Sequence, residues 1–205
     1  MLSGHIRDMP PLDCLETFLF IDDNGCVITD DDRILNQWLL DISLQETWGV
    51  SDCERVFDAL CHPNEYIWTQ AVALVSQWQK LQILTLLPRL GVLPIPTKMY
   101  LMPYLSQLSY YEPFEAMIQE LKIQPDGLYV DVLIHCLVDT DYYVWPLILL
   151  YLSDDSPVLK SRLKKVLAKM GFNALRTPLK MLPEIPHEGV LRDVFGDECI
   201  NSLYD

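Results

Sequence analysis

An all-α fold of antiparallel helical hairpins is what this sequence predicts, and three observations predict it. Apolar residues recur three and four positions apart from Asp30 almost to the C-terminus, the spacing of one helix face. Residues that cap helices precede these stretches, and most prolines and glycines fall between them. The connections are short, which makes consecutive helices lie antiparallel and adjacent.

Residues 1–29 read as an irregular N-terminal segment, because Gly4, Pro10 and Pro11 interrupt any period. Within it, Leu19-Phe-Ile-Asp-Asp-Asn-Gly-Cys-Val-Ile28 is the one β-like signal, with Asn24-Gly25 as a type I′ turn pair. A small β-hairpin lying on the helical body fits these letters, and so does a helix–loop transition. Asp30-Asp-Asp32 then cap a helix carrying Ile34, Leu35, Trp38, Leu39 and Ile42, closed by Gly49. Ser51-Asp-Cys-Glu54 has the form of a capping box ahead of Val56, Phe57 and Leu60. Asn64 caps a third helix with Ile67, Trp68, Ala71, Val72, Leu74, Val75 and Trp78 on its apolar side.

A fourth helix is expected over 81–90, interrupted near Pro88, and 91–96 is a linker-like break. Further helices are expected over 97–108 with a kink at Pro103, over 113–122, from Asp126-Gly127 through Leu137, and around Trp145 behind an Asp141 cap. Ser156-Pro157 opens a long helix ending at Met170-Gly171, and shorter pieces occupy 173–182 and 187–203. The expectation is ten or eleven helices in a single domain over 1–205, with helical pairs over 30–171 and capping helices over 172–205.

The chain has 205 residues, 50% hydrophobic and 21% charged, enough apolar side chain for a continuous core. No apolar run reaches the roughly 18 residues that span a bilayer, so no membrane partner is expected. The first eight residues lack a basic segment followed by an apolar one, and none of the six cysteines forms a C-x-x-C pair. A reduced, cytoplasmic protein is expected. The net charge of −14 is unevenly spread. Residues 1–80 carry fourteen acids against four Lys/Arg, and 81–152 seven against three. Residues 153–205 carry eight of each, with a purely basic stretch over 156–183. An acidic surface repels phosphate backbones and steers basic proteins toward itself.

Two segments repeat a pattern. In Asn64-Glu-Tyr-Ile-Trp-Thr-Gln-Ala-Val-Ala-Leu-Val75 and Asp141-Tyr-Tyr-Val-Trp-Pro-Leu-Ile-Leu-Leu-Tyr-Leu152 a capping residue precedes an aromatic, a β-branched residue, Trp and an apolar run. Thr97-Lys-Met-Tyr-Leu-Met-Pro-Tyr-Leu-Ser-Gln-Leu108 matches the apolar spacing without the tryptophan, which sets intervals of about 33 and 44 residues. Over residues 30–171 the chain resembles HEAT-like α-helical repeat proteins. That resemblance implies a short solenoid with a concave face that binds a protein partner.

The residues assemble no recognisable chemistry, so a binding protein rather than an enzyme is expected. G-x-x-x-x-G-K-[ST], G-x-G-x-x-G and G-x-S-x-G are all absent from the sequence. Cys61-His62 and His135-Cys136 are adjacent pairs, but neighbours on a helix point about 100° apart, so each pair offers one ligand at best. Asp22-Asp-Asn-Gly25 places its glycine fourth, where a calcium loop needs it sixth. No metal and no cofactor is expected.

Two features point to binding. Acids interleave with aromatics near the N-terminus, and Asp30, Asp31, Asp32, Trp48, Asp52, Glu54, Asp58, Glu65 and Tyr66 are the candidate contacts, with Trp48 the best exposed aromatic. Trp38 and Trp68 lie on apolar stripes and read as core. The basic stretch over 160–180 is the one region suited to nucleic acid, against which the overall charge argues. In outline the chain resembles the immunity proteins of secreted or contact-dependent toxin systems. The resemblance implies an inhibitor that covers the active cleft of a cationic toxin, such as a nuclease, with an acidic surface. A HEAT-like scaffold binding a basic or other protein through its concave face is the alternative.

Overall fold

A two-residue ladder precedes the helices: β1 (Phe20–Ile21) pairs antiparallel with β2 (Val27–Ile28), Phe20 opposite Ile28. The computed structural model describes residues 20–21, 27–45, 48–140 and 144–204. The Asn24-Gly25 turn, the Asp141 cap, Cys14 and Cys26 lie outside the described residues.

Helix α1 (Asp30–Ser43) starts at Thr29, not at the aspartates. Thr29 Oγ1 accepts from Asp32 N–H (3.1 Å) and Asp32 Oδ2 accepts from Thr29 N–H (2.9 Å), a reciprocal capping box. Helix α2 (Val50–Leu60) likewise starts earlier than the Ser51–Glu54 pattern suggests. Gly49 is its cap, and Asp52 Oδ2 accepts from Gly49 N–H at 2.7 Å. In both cases a carboxylate three residues on accepts from the cap's N–H, and it also suits the positive end of the helix dipole. Asn64 caps α3 (Glu65–Val75) as expected, accepting from Tyr66 N–H at 2.9 Å.

Helix α4 (Lys80–Leu86) gives way to a 3₁₀ turn (Leu87–Val92) carrying Pro88. Helix α5 (Ile95–Leu105) begins inside the expected linker, because Pro94 and Pro96 have the backbone φ that a first turn needs. Pro113 sits in the first turn of α6 (Glu112–Ile123), and α7 (Leu128–Val138) follows Gly127. Helix α8 (Trp145–Tyr151) leads to α9 (Pro157–Met170), capped by Ser156 and closed by Gly171 at φ +79°. Helix α10 (Phe172–Lys180) follows. The expected last helix is two, α11 (Glu188–Phe195) and α12 (Asp197–Asn201), divided by Gly196 at φ +87°, a backbone conformation that favours glycine.

Every second helix touches the next in one series: α1 with α3, α3 with α5, α5 with α7, α7 with α9, and α9 with α11. The intervening helices lie against this series, α2 on α1 and α3, α6 on α5, α7 and α9, and α8 and α10 on α9. The series helices begin at 30, 65, 95, 128, 157 and 188, intervals of 29 to 35 residues. This differs from the uneven intervals read from the tryptophans. Trp68 lies within α3, a series helix, whereas Trp145 opens α8, which packs outside the series. Buried apolar side chains form one cluster from Leu39 to Leu203.

Two cations are buried between the helices. Lys98 Nζ of α5 lies 2.8 Å from Glu120 Oε2 of α6, which also accepts from Gln124 Nε2 and from Tyr129 Oη of α7. Arg162 of α9 donates to the carbonyls of Leu121 and Gln124 at the end of α6, and to Asp126 Oδ1 at 2.7 Å. Burial without partners would cost several kcal/mol per charge. These pairings therefore fix how α5, α6, α7 and α9 are set against one another.

Candidate protein-binding surface

The nine residues singled out near the N-terminus divide by what they touch. Asp32 is buried, closing the α1 cap with one oxygen and holding His62 Nε2 at 3.1 Å with the other. Asp52 is engaged by Gly49 N–H, and Glu54 pairs with Arg89 at 2.6 Å. Trp48 is not the exposed aromatic that its place beside Gly49 suggested. It is half-buried, its ring edge-on to Trp78 at 5.9 Å, and its Nε1–H donates to the Gln45 carbonyl. A helix end next to glycine looks exposed in sequence, but Trp78, in the connection from α3 to α4, packs against it.

Asp30, Asp31, Asp58, Glu65 and Tyr66 remain exposed. The Asp32–His62 contact brings the start of α1 to the end of α2, so Asp30, Asp31, Asp58, Glu65 and Tyr66 belong to one end of the first three helices. Asp52 and Trp48 belong to the other end of α2, about 12 Å away along its axis. The acidic set is thus two groups.

A second surface was not anticipated. On α5, Thr97, Lys98, Leu101, Met102 and Leu105 face inward, which turns Tyr100 and Tyr104 outward, 54% and 42% exposed. The Tyr100 ring stands against Trp68 of α3 at 5.2 Å, so its position is fixed from below. Tyr100 and Tyr104 line a depression of about 440 Å³ with Met99, Pro103 and Gln107. Those last three also line a groove of about 550 Å³ toward α7, so the two hollows adjoin on α5. Leu128 and Val132 add apolar surface on the α7 side, and Asp131, Asp139 and Lys169 are its charged members. His135 Nε2 lies 2.9 Å from Asp139 Oδ2. The Cys136 thiol in the groove is pushed up in pKa by burial, which keeps it protonated and unreactive. The signal in the sequence was two tyrosines four apart on a helix whose apolar stripe lies elsewhere.

Two members of the basic stretch are engaged within the fold: Arg162 is buried, and Lys164 pairs with Asp193 at 3.1 Å. A hollow of about 570 Å³ near the C-terminus has ionisable lining, including Lys180, Glu184, His187 and Glu188. Glu188 among them is engaged. Tyr204 and Arg192 hold the Glu188 carboxyl below the usual carboxylate range. Ser153 Oγ lies 3.1 Å from His187 Nε2, but among the described residues no carboxylate is within ion-pairing distance of that ring to orient it as a base.

Among the described residues no three His, Cys, Asp or Glu side chains come together as a metal site, and Cys53, Cys61, Cys136 and Cys199 are unbridged. Both His-Cys pairs have other engagements: His62 with Asp32 and the Asn64 N–H, His135 with Asp139. Among the described residues no helix is long and apolar enough to cross a membrane. No known protein family, curated protein or solved structure matches this chain.

Proposed function

We propose that this protein works by binding another protein, as a short HEAT-like solenoid of helical pairs whose binding face is the series of alternate helices. The observation that carries this reading is the tyrosine-lined hollow across α5, which adjoins an acid-bearing groove on α7. Exposed tyrosines over apolar floor are what protein interfaces use as anchors, because a large rigid ring loses little entropy on contact. The unbroken succession from α1 to α11, at intervals of 29 to 35 residues, supports the solenoid.

The net charge of −14 makes a cationic protein the class of partner. Masking such a protein, as an immunity protein masks a toxin, is the activity we assign. It needs no cofactor and no catalytic group. The immobilised chain tests this against basic proteins at about 0.05 M and 1 M salt, a range over which the screening length falls from above 10 Å to about 3 Å. Enrichment of basic proteins that high salt releases is the expected result. Capture that salt leaves unchanged moves the reading to an apolar scaffold, and capture of acidic proteins alone removes it.

A further inference from the structure

We propose that the hollow across α5 and the groove of α7 together take one extended segment of a partner, running across the helices, with a large apolar side chain beside Tyr100 and Tyr104 and a cation about three residues away against Asp131. This rests on the protein-binding reading and names what that surface accepts.

The two compartments differ in chemistry. The α5 hollow is lined by Met99, Tyr100, Pro103, Tyr104 and Gln107, none of them charged at neutral pH. The α7 groove carries two carboxylates, Asp131 and Asp139, eight residues or about 12 Å apart along the helix. Met99, Pro103 and Gln107 line both, so the two hollows adjoin on the surface of α5.

The spacing follows from the helices. Packed neighbours stand about 8–10 Å apart, and an extended chain advances about 3.3 Å per residue, so three residues carry a segment from one hollow to the next. A helix lying in the groove would run along α5 and α7 instead and would meet only one compartment. The occupant's sign follows from the carboxylates. Asp139 is engaged by His135, and Lys169 is the one ammonium in the lining, which leaves Asp131 as the carboxylate open to a partner's cation.

The test is a ¹H–¹⁵N NMR titration of the full chain with a nine-residue peptide bearing Trp and Arg three positions apart. Two further peptides replace Arg by citrulline or Trp by Ala. Expected are shifts clustered at Tyr100, Tyr104, Asp131 and His135, with affinity reduced about tenfold by either replacement, a factor ordinary for one anchor or one charge-assisted contact. The protein variant D131N/D139N should erase the difference between arginine and citrulline while Y100A/Y104A erases that between Trp and Ala. These side chains are exposed, and unchanged melting checks that the fold is intact. Shifts centred on α1 and α2 instead, or no shift with any peptide, overturn the proposal. Failure of the wider reading looks different, since the immobilised chain would then retain no basic protein at all. Retention abolished by D31N/D58N/E65Q but not by Y100A/Y104A or D131N/D139N leaves protein binding standing and sinks the groove.

Discussion

Lys98 Nζ lies 2.8 Å from Glu120 Oε2 with the two side chains 1% and 5% exposed, so α5 and α6 are joined by an ion pair that water does not reach. The pair is not isolated. Lys98 also donates to the Gly91 carbonyl, and Glu120 takes hydrogen bonds from Gln124 and Tyr129. With both partners fully hydrogen-bonded, the cost of removing two charges from water is offset, and the network sets the registry of three helices under the tyrosine face.

Breaking that pair on one side should therefore be more harmful than removing both halves. Lys98→Met leaves Glu120 buried without its cation and should cost about 3–5 kcal/mol. Lys98→Met with Glu120→Leu should recover most of that. Urea unfolding of the wild type, the single and the double variant measures it. Equal stability of single and double variants would show that the pair is not coupled.

Arg162 acts as a cap for a helix other than its own. Its guanidinium reaches the carbonyls of Leu121 and Gln124, which the end of α6 leaves without amide partners. Arg162→Met should cost roughly 1–3 kcal/mol by stranding a buried carbonyl. Arg162→Lys should restore only part, because Nη1 serves both carbonyls while Nη2 reaches Asp126, and one ammonium lacks that planar fork. Melting temperatures of the three proteins should rank in that order, and a lysine variant as stable as wild type would refute the fork argument.

Acid should weaken the fold through carboxyls that the folded state holds below their ordinary pKa. Hydrogen bonds and charge from Arg162 lower Asp126, and those from Lys122 lower Asp154. A lowered folded pKa means that the unfolded chain takes up protons first. The contribution is full above the unfolded value of about 4 and is lost as pH falls through the folded one. Urea midpoints from pH 7 to pH 2.5 should stay level to about pH 5 and then fall. Asp126→Asn should remove part of that fall, and comparison of the two proteins cancels the general charge effect they share. Parallel curves would exclude Asp126 as a contributor.

Trp48 should matter to stability and not to binding. Its edge contact with Trp78 at 5.9 Å is lost in Trp48→Ala, at about 1–2 kcal/mol, less than the ~3–5 of a fully buried tryptophan. Retention of basic proteins should be unchanged. A variant that melts normally but no longer retains them would return Trp48 to the binding surface.

What the sequence determined by itself was local. Period, caps and breakers are properties of a few neighbouring residues, so Asn64, Ser156, Pro113 and Gly171 announced the helices they begin or end. Where two residues competed for one cap, as Thr29 with Asp30 and Gly49 with Ser51, the letters left the choice open, and the bond from the cap's N–H to the carboxylate three residues on made it. The order in which helices pack was not written in any residue pattern. The matching tryptophans paired α3 with α8, while the interval near 30 residues emerged only once alternate helices were seen in contact. Surface identity was decided at the same level. Whether an aromatic is anchor or core depends on which face the next helix covers, and that covering buried Asp32 and part of Trp48 while leaving Tyr100 and Tyr104 in the open. Burial is a property of helices brought together from distant parts of the chain, and no window of sequence contains it.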